Sequence, residues 1–213
     1  MQHVAPAILT DDPAAFKKMV DMMSSFADIV QVDVMDGELV PSKSIGIETV
    51  ASCTVNPATF AEAHLMVEDP YPWIDAFEKF GAKRVLVHYE MKSKDFDRVF
   101  AYVRSKGMAL GLVVNPDTEI SEFEHLVPKV DEVLFMSVYP GFYGAAFVPK
   151  VIDKIRAFRV KYPKVMTAID GGVNKANIQE LAALGLDILC VGSAIGKAAD
   201  PKAAWLDLQN CIA

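Results

Sequence analysis

The sequence predicts an α/β fold, a single (β/α)8 barrel that spans residues 1–213 as one domain. Short apolar runs of four to six residues alternate with segments of helical periodicity, and eight such runs occur along the chain. No linker or shift in composition divides the 213 residues. Eight βα units in this length favour a closed barrel over an open sheet. An open doubly wound sheet is the alternative, although its usual glycine-rich first turn is missing from residues 5–10.

The strand candidates are the apolar runs themselves. They span residues 4–9, 29–34, 63–67, 84–88, 110–114, 132–136, 165–170 and 187–192. Each run is too short for a membrane helix and has the length typical of a buried strand. Their even spacing indicates parallel strands joined by helices.

Helix candidates fill the intervals between the strands. They span residues 13–25, 70–80, 93–105, 121–126, 149–162, 175–184 and 201–210. Asp12 and Pro13 form a typical helix start, as N-cap and first helical residue, and Gly81 is a typical helix end. The segment 46–60 is the least regular, and we expect a shortened second helix there.

Composition restricts the function classes. The chain has 52% hydrophobic and 23% charged residues and a net charge of −7, with no cluster of Lys and Arg longer than a pair. A nucleic-acid surface is therefore not expected, whereas backbone N–H groups can still hold a small anion. The three cysteines show no C-x-x-C spacing, so neither a disulfide framework nor a zinc knuckle is indicated. We expect a cytoplasmic, enzyme-like protein without a signal peptide or a membrane partner.

Polar residues stand at the ends of several strand candidates, where barrel enzymes carry their active sites. These residues are Gln31, Asp33, His64, His88, Glu90, Asn115, Ser137 and Asp170. Strand alternation places Asp33 on the same face as Gln31 and Met35, so we expect Asp33 to point into the mouth of the barrel. Asp36 precedes Gly37 and is expected to form a turn.

Asp33 and Asp170 stand at the ends of strands two and seven, which we expect to face each other across the barrel, with His64 between them. Two carboxylates and a histidine suit a divalent metal. They also suit an acid/base pair that addresses the two faces of one carbon. Helix capping or pairing with lysines is the structural alternative for each aspartate.

Glycine-rich turns follow the last two strands. Gly171 and Gly172 come after strand seven, and Gly192 and Ser193 come after strand eight. Loops at these two places often form the phosphate site of a barrel, since glycine lets backbone N–H groups approach the oxygens. The sequence therefore predicts a phosphorylated substrate.

Several motifs together resemble one known family over nearly the whole chain. They are APAIL, VDVMDG followed by LVP, HLMVEDP, HYE, GLVVNPDT, VLFMSVYPGF, IDGGVN and VGSAI. In this order and spacing they resemble the ribulose-phosphate 3-epimerase family. The resemblance implies a barrel of the ribulose-phosphate-binding type and an isomerase of the pentose phosphate pathway. It would interconvert D-ribulose 5-phosphate and D-xylulose 5-phosphate.

The resemblance also implies the site. Asp33, His64 and Asp170 would hold one divalent metal (Zn, Fe, Mn, Co or Mg), with Gln31 at the fourth ligand position. Asp33 and Asp170 would be the two acids/bases around a metal-stabilised enediolate. Substrate and phosphate contacts would come from Met35, Met66, Gly141, Gly144, Gly171, Gly172, Gly192 and Ser193. His88 and Glu90 would not bind the metal themselves but would hold its ligands in position. The partner is a small sugar phosphate, and relatives of this kind form dimers or hexamers.

The sequence departs from the family pattern at four residues and in the segment after strand two, which is short and irregular. Gln31 replaces a metal-binding histidine, Ala7 replaces a serine, and Tyr143 and Ala145 replace a glycine and a glutamine. Three explanations are open. The protein is an epimerase with a weaker or different metal, such as Mg²⁺ or Mn²⁺, or it is a 3-epimerase of another ketose phosphate, such as a hexulose 6-phosphate. The third explanation is a barrel that binds sugar phosphates without catalysing a reaction. Retention of both aspartates and His64 argues against decay of the site.

Overall fold

Eight parallel strands form a closed barrel, which confirms the predicted fold class. The structure, a computed structural model, describes residues 2–141 and 144–212. Each strand pairs with its neighbours in chain order, and β8 closes the barrel against β1. The strands are β1 (His3–Ile8), β2 (Ile29–Met35), β3 (Phe60–Met66), β4 (Arg84–His88), β5 (Ala109–Val114), β6 (Glu132–Met136), β7 (Met166–Asp170) and β8 (Ile188–Val191).

Helices connect successive strands and surround the barrel. They are α1 (Pro13–Met23), α2 (Ile47–Ala51), α3 (Tyr71–Phe80), α4 (Phe96–Ser105), α5 (Ile120–Phe123), α6 (Val151–Lys161), α7 (Ile178–Ala182), α8 (Ser193–Gly196) and α9 (Pro201–Asn210). Asp12 caps α1 by accepting a hydrogen bond from the Ala14 amide, and Gly81 ends α3 in the left-handed conformation, both as predicted. The shortened second helix is also confirmed, as α2.

Most elements differ from the sequence prediction by one to three residues at one or both ends. Two differences have a clear physical cause. β3 begins at Phe60, three residues before the predicted start, because Glu62 interrupts the apolar pattern although it lies inside the barrel. The charge is tolerated there because Arg84 pairs with it. The short helix α8 was not predicted, since its four residues are too few to show helical periodicity.

The apolar core has two layers, one inside the barrel and one between the strands and the helices. The inner layer consists of Ala5, Leu86, Val113, Leu134, Met136, Val138, Ala168, Ile188 and Cys190. Gly111 is required in this layer, because a Cβ atom there would overlap the Leu86 side chain. No helix in the described part of the chain is long and apolar enough to cross a bilayer.

A buried charged layer closes the amino-terminal end of the barrel interior. Arg84, at the start of β4, pairs with Glu62 of β3 and Glu132 of β6. Both carboxyl side chains are fully buried, and the Arg84 guanidinium lies over the Phe60 ring, 4.9 Å from its centroid. The inward faces of β3 and β4 therefore carry charged side chains at one end of the barrel and His64 and His88 at the other.

Candidate active site

A cavity of about 460 Å³ opens at the carboxyl ends of the strands, within the size range of small-molecule sites. Polar groups, methionines and glycine turns share its walls. The lining includes Ala7, Asp33, Met35, Met66, Met136, Gly141, Gly144, Ala145, Asp170, Gly171, Gly172, Asn174, Cys190, Gly192, Ser193, Gly196 and Lys197. The predicted aspartates, methionines and glycine loops therefore border one cavity.

Asp33, His64 and Asp170 converge beneath this cavity. Asp33 and His64 are register partners on β2 and β3, and the His64 Nδ1 lies 2.9 Å from Asp33 Oδ1. Asp170 ends β7, and its Oδ2 lies 3.4 Å from the same nitrogen. β2 and β7 are three strands apart by the shorter way round, rather than directly opposite as expected. One ligand atom from each residue lies within 4.8 Å of the others.

Gln31 lies between the two carboxylates. Its Nε2 donates hydrogen bonds of 2.8 Å to Asp33 Oδ1 and of 2.8 Å to Asp170 Oδ2. Its Oε1 accepts a hydrogen bond of 3.0 Å from the Cys190 thiol. The side chain is fully buried. Gln31 therefore occupies the predicted position beside the other three residues, but with its amide nitrogen turned toward the carboxylates.

A chain of hydrogen bonds leads from the other ring nitrogen of His64, Nε2, to His88 and Glu90. The His64 Nε2 lies 2.9 Å from the His88 Nε2, and the His88 Nδ1 lies 3.1 Å from Glu90 Oε2. The other Glu90 oxygen accepts hydrogen bonds from the Asn115 amide and the Thr118 hydroxyl. This arrangement orients the His64 ring, as carboxylate–histidine pairs do behind metal ligands.

The protonation states along this chain follow from burial and charge. Burial opposes protonation of His64, but the hydrogen bonds and charges of Asp170 and Asp33 outweigh it and raise the pKa of His64 to about 9. Burial, together with the charge of His64, lowers the pKa of His88 despite the neighbouring Glu90. A protonated His64 then donates through Nε2 to a neutral His88, which donates to Glu90. Burial and the charge of Asp170 raise the pKa of Asp33.

The residues present fit a divalent cation. Two carboxylates and one imidazole are ligands accepted by Zn²⁺, Fe²⁺, Mn²⁺ and Co²⁺, and Asp33, His64 and Asp170 bring one atom each to the same place. Three protein ligands are also the usual set of a catalytic site that leaves positions open for substrate. Gln31 turns its nitrogen, not its carbonyl oxygen, toward this place.

Two neighbours of Asp33 in the VDVMDG motif, Met35 and Asp36, shape the surroundings of the site. Asp36 accepts hydrogen bonds from the Glu38 and Leu39 amides and, through its other oxygen, from the Glu68 amide. It therefore forms the predicted turn with Gly37. Met35 and Met66 are buried against each other and form part of the cavity wall.

Two glycines of the cavity rim are required by their backbone. Gly141 has a φ of 102°, and a Cβ atom there would lie 2.7 Å from Pro41 Cδ. Gly171 has a φ of 113°, and a Cβ atom would lie 2.6 Å from Val138 Cγ2. Both angles are in the left-handed region that other residues rarely adopt. Tyr143, one of the residues at which the sequence departs from the family pattern, lies outside the described residues.

Sequence reasoning missed two side chains of the site. Cys190 shares the inward face of β8 with Ile188, so strand alternation could have placed it at the mouth of the barrel. Lys197 follows α8 and is the only cationic side chain among the described residues that line the cavity. No periodicity in the sequence indicated that helix, so nothing pointed to Lys197.

Comparison with known sequences gives one consistent result. A family model described as "Ribulose-phosphate 3 epimerase family" matches residues 3–196. The ribulose-phosphate 3-epimerase of Mycobacterium leprae is 36% identical over 211 residues, which cover 97% of this chain and 93% of that protein. The cytoplasmic isoform of ribulose-phosphate 3-epimerase from Oryza sativa is 33% identical over 213 residues, covering 98% and 93%.

Solved structures with the same fold are more distant in sequence. A 3-hexulose-6-phosphate synthase superposes over 100% of both chains with a TM-score of 0.75 and 18% identity. The corresponding enzyme from Salmonella typhimurium gives a TM-score of 0.72 and 17% identity over 99% of this chain. At this identity the similarity supports the barrel fold alone.

Proposed function

The chain belongs to the ribulose-phosphate 3-epimerase family, whose members are isomerases acting on carbohydrate phosphates, and from this premise we propose that it interconverts D-ribulose 5-phosphate and D-xylulose 5-phosphate. The observation that carries the proposal is the pair of carboxylates, Asp33 and Asp170, on the wall of one cavity with His64 beside them. Inversion of one carbon needs an acid and a base on its two faces. Both groups have to reach the same substrate atom.

In the proposed reaction, one aspartate removes the C3 proton and the other returns a proton to the opposite face. The bond to the first proton breaks, its electron pair forms the enediolate, and protonation from the other side inverts the centre. The pKa of Asp33 is raised and so lies closer to neutral pH than that of an ordinary aspartate. This makes the carboxyl better suited to take up and release a proton. Met35 and Met66 cover the enediolate with apolar side chains and keep water away from it.

We propose that Asp33, His64 and Asp170 hold one divalent cation. Such a cation would neutralise the negative charge that develops on the substrate oxygens. His88 and Glu90 keep the His64 ring oriented toward the two carboxylates. The turns at Gly171–Gly172 and Gly192–Ser193 border the same cavity and would hold the substrate phosphate through backbone N–H groups.

The proposed activity is tested by proton exchange at C3. The purified protein is incubated with D-ribulose 5-phosphate in D2O, with and without Mg²⁺, Mn²⁺ and Zn²⁺, and NMR follows C3. We expect deuterium at C3 and formation of xylulose 5-phosphate. Binding of the sugar phosphate without exchange under every metal condition would support a non-catalytic binding barrel. A hexulose 6-phosphate that exchanges faster than the pentulose would identify the other ketose phosphate as the substrate.

We expect metal affinity to depend strongly on pH. Because the pKa of His64 is raised to about 9, the metal-free ring is protonated at neutral pH and must lose a proton before its Nδ1 can bind a cation. The association constant for Mn²⁺ is expected to rise about tenfold per pH unit from about pH 6 up to the His64 pKa and to level off above it. Calorimetric titrations at several pH values measure it. A flat profile would show that His64 is neutral in the metal-free protein.

Lys197 is expected to contribute to phosphate binding. It borders the cavity together with Gly172 and Ser193, and it brings a positive charge to a cavity wall that also carries Asp33 and Asp170. We expect Lys197→Ala to raise the KM for the sugar phosphate about tenfold with little change in kcat, since the phosphate is remote from the reacting carbon. The exposed Lys202→Ala is the matched control. A drop in kcat with an unchanged KM would contradict this role.

We also propose a cytoplasmic location and a homo-oligomeric state, a dimer or a hexamer. The location is supported by the rice relative that is named as a cytoplasmic isoform. The oligomeric state is the one that the family resemblance implies, and light scattering of the purified protein measures it directly.

A further inference from the structure

We infer that Gln31 is a clamp between the Asp33 and Asp170 carboxylates rather than a metal ligand, and that Cys190 is the positioning residue that fixes its orientation. The inference deepens the proposed function and rests on it for the chemical roles of the two aspartates. It concerns Gln31, whose side-chain amide can turn either its oxygen or its nitrogen toward the two carboxylates.

The hydrogen bonds of the amide define its orientation. Both hydrogens of Nε2 are used, one on each carboxylate at 2.8 Å, and Oε1 accepts from the Cys190 thiol at 3.0 Å. In the reversed orientation Oε1 would face two carboxylate oxygens, which repel it, and the thiol would lose its acceptor. The Gln31 side chain is fully buried, so water cannot replace either set of bonds.

The clamp compensates for a repulsion that the fold creates. Asp33 and Asp170 approach the same point from β2 and β7, and their negative charges repel each other where Asp33 is buried and Asp170 half-buried. One planar NH2 group that bonds both carboxylates holds them at a fixed separation. With the amide in this orientation, a cation bound here would receive its protein ligands from Asp33, His64 and Asp170 alone, because an amide NH2 group has no free electron pair to offer a metal.

Metal affinity distinguishes a clamp from a ligand without any measurement of turnover. Gln31→Met removes both functions while keeping a side chain of similar length. If Gln31 is a clamp, Zn²⁺ affinity in competition with a chromogenic chelator is expected to stay within about threefold or to tighten, because the amide no longer competes for the carboxylates. A loss of about tenfold or more would show that Gln31 is a ligand and would overturn the inference. Gln31→His, which adds a ligand, is expected to tighten Zn²⁺ binding at least about tenfold.

NMR of the unaltered metal-free protein provides a second test that does not depend on a variant folding. Both side-chain amide protons of Gln31 are expected downfield and protected from solvent exchange. Cys190→Ser, which keeps a donor, is expected to leave them unchanged, whereas Cys190→Ala is expected to increase their exchange rate about tenfold. Cys53→Ala, at a buried cysteine outside the site, is the matched control. Rapidly exchanging amide protons in the unaltered protein, or no effect of Cys190→Ala, would overturn the inference. Because no substrate is involved, failure of the clamp and failure of the proposed epimerase activity are separate results.

Discussion

Asp170→Asn and Asp33→Asn are each expected to lower kcat for epimerisation by about 10²–10⁴-fold. Each variant keeps one carboxylate, and with it the ability to remove a proton from one face of C3. We therefore expect each single variant to exchange the C3 hydrogen of only one of the two epimers, and the two variants to act on opposite epimers. Deuterium incorporation into ribulose 5-phosphate and xylulose 5-phosphate, measured separately in D2O, gives this pattern.

Asp11→Asn is the control for this pair, because Asp11 is an exposed aspartate outside the cavity. It is expected to leave the rate unchanged. If both site variants exchanged the same epimer, one aspartate would be the sole base and the other would only support it. That result would refute the two-carboxylate mechanism and leave the family membership untouched.

Arg84→Met is expected to lower the free energy of unfolding by about 3–5 kcal/mol, because it leaves two buried carboxyls without their positive partner. The change leaves Glu62 and Glu132 fully buried without a positive partner. Burial already raises the pKa of Glu62, and burial and the charge of Glu62 raise the pKa of Glu132 well above its usual range. Without Arg84 both carboxyls have to be protonated in the folded state. Urea denaturation of the two proteins measures the difference.

The Glu62 and Glu132 carboxyls also determine how the loss of stability in Arg84→Met depends on pH. A carboxyl whose pKa is raised in the folded state binds more protons there than in the unfolded chain, so stability falls as pH rises above the unfolded value. We expect the defect of Arg84→Met to be larger at pH 8 than at pH 6, and Glu132→Gln to restore part of it. Arg104→Ala, which breaks the half-exposed pair with Asp131, is the control and is expected to cost about 0–1 kcal/mol. An equally small cost for Arg84→Met would contradict the role of the charged layer.

Most of the barrel could be predicted from the sequence because its strands are apolar on both faces. A strand is easy to recognise in the sequence where the side chains that face into the barrel are apolar as well as those that face the helices. β3 was shortened in the prediction for the opposite reason: Glu62 looks like a surface residue until Arg84, 22 positions later, is placed beside it. An ion pair between distant residues leaves no local pattern in a sequence.

The candidate site was predictable in its membership but not in its contacts. Alternation along β2 indicated that Gln31 and Asp33 face the same way, and the structure places both at the carboxylate cluster. The direction of the Gln31 amide depends on Cys190, which lies 159 positions away, and on Asp170, 139 positions away. Strand register brings these residues together, and register is set by pairing across the whole barrel rather than by neighbouring residues.

Strand pairing in the closed barrel restricts mutations within the strands more than mutations in the turns beyond them. Asp33, His64 and Asp170 stand on strands whose register every neighbouring strand helps to fix, so the distances among them cannot drift one at a time. The turn at Gly171–Gly172 and the residues around Lys197 lie beyond the strand ends and carry no ladder hydrogen bonds. Mutations around Lys197 can therefore alter the lining of the cavity without moving Asp33 and Asp170, whereas Gly171 is fixed by its left-handed backbone and by its close approach to Val138.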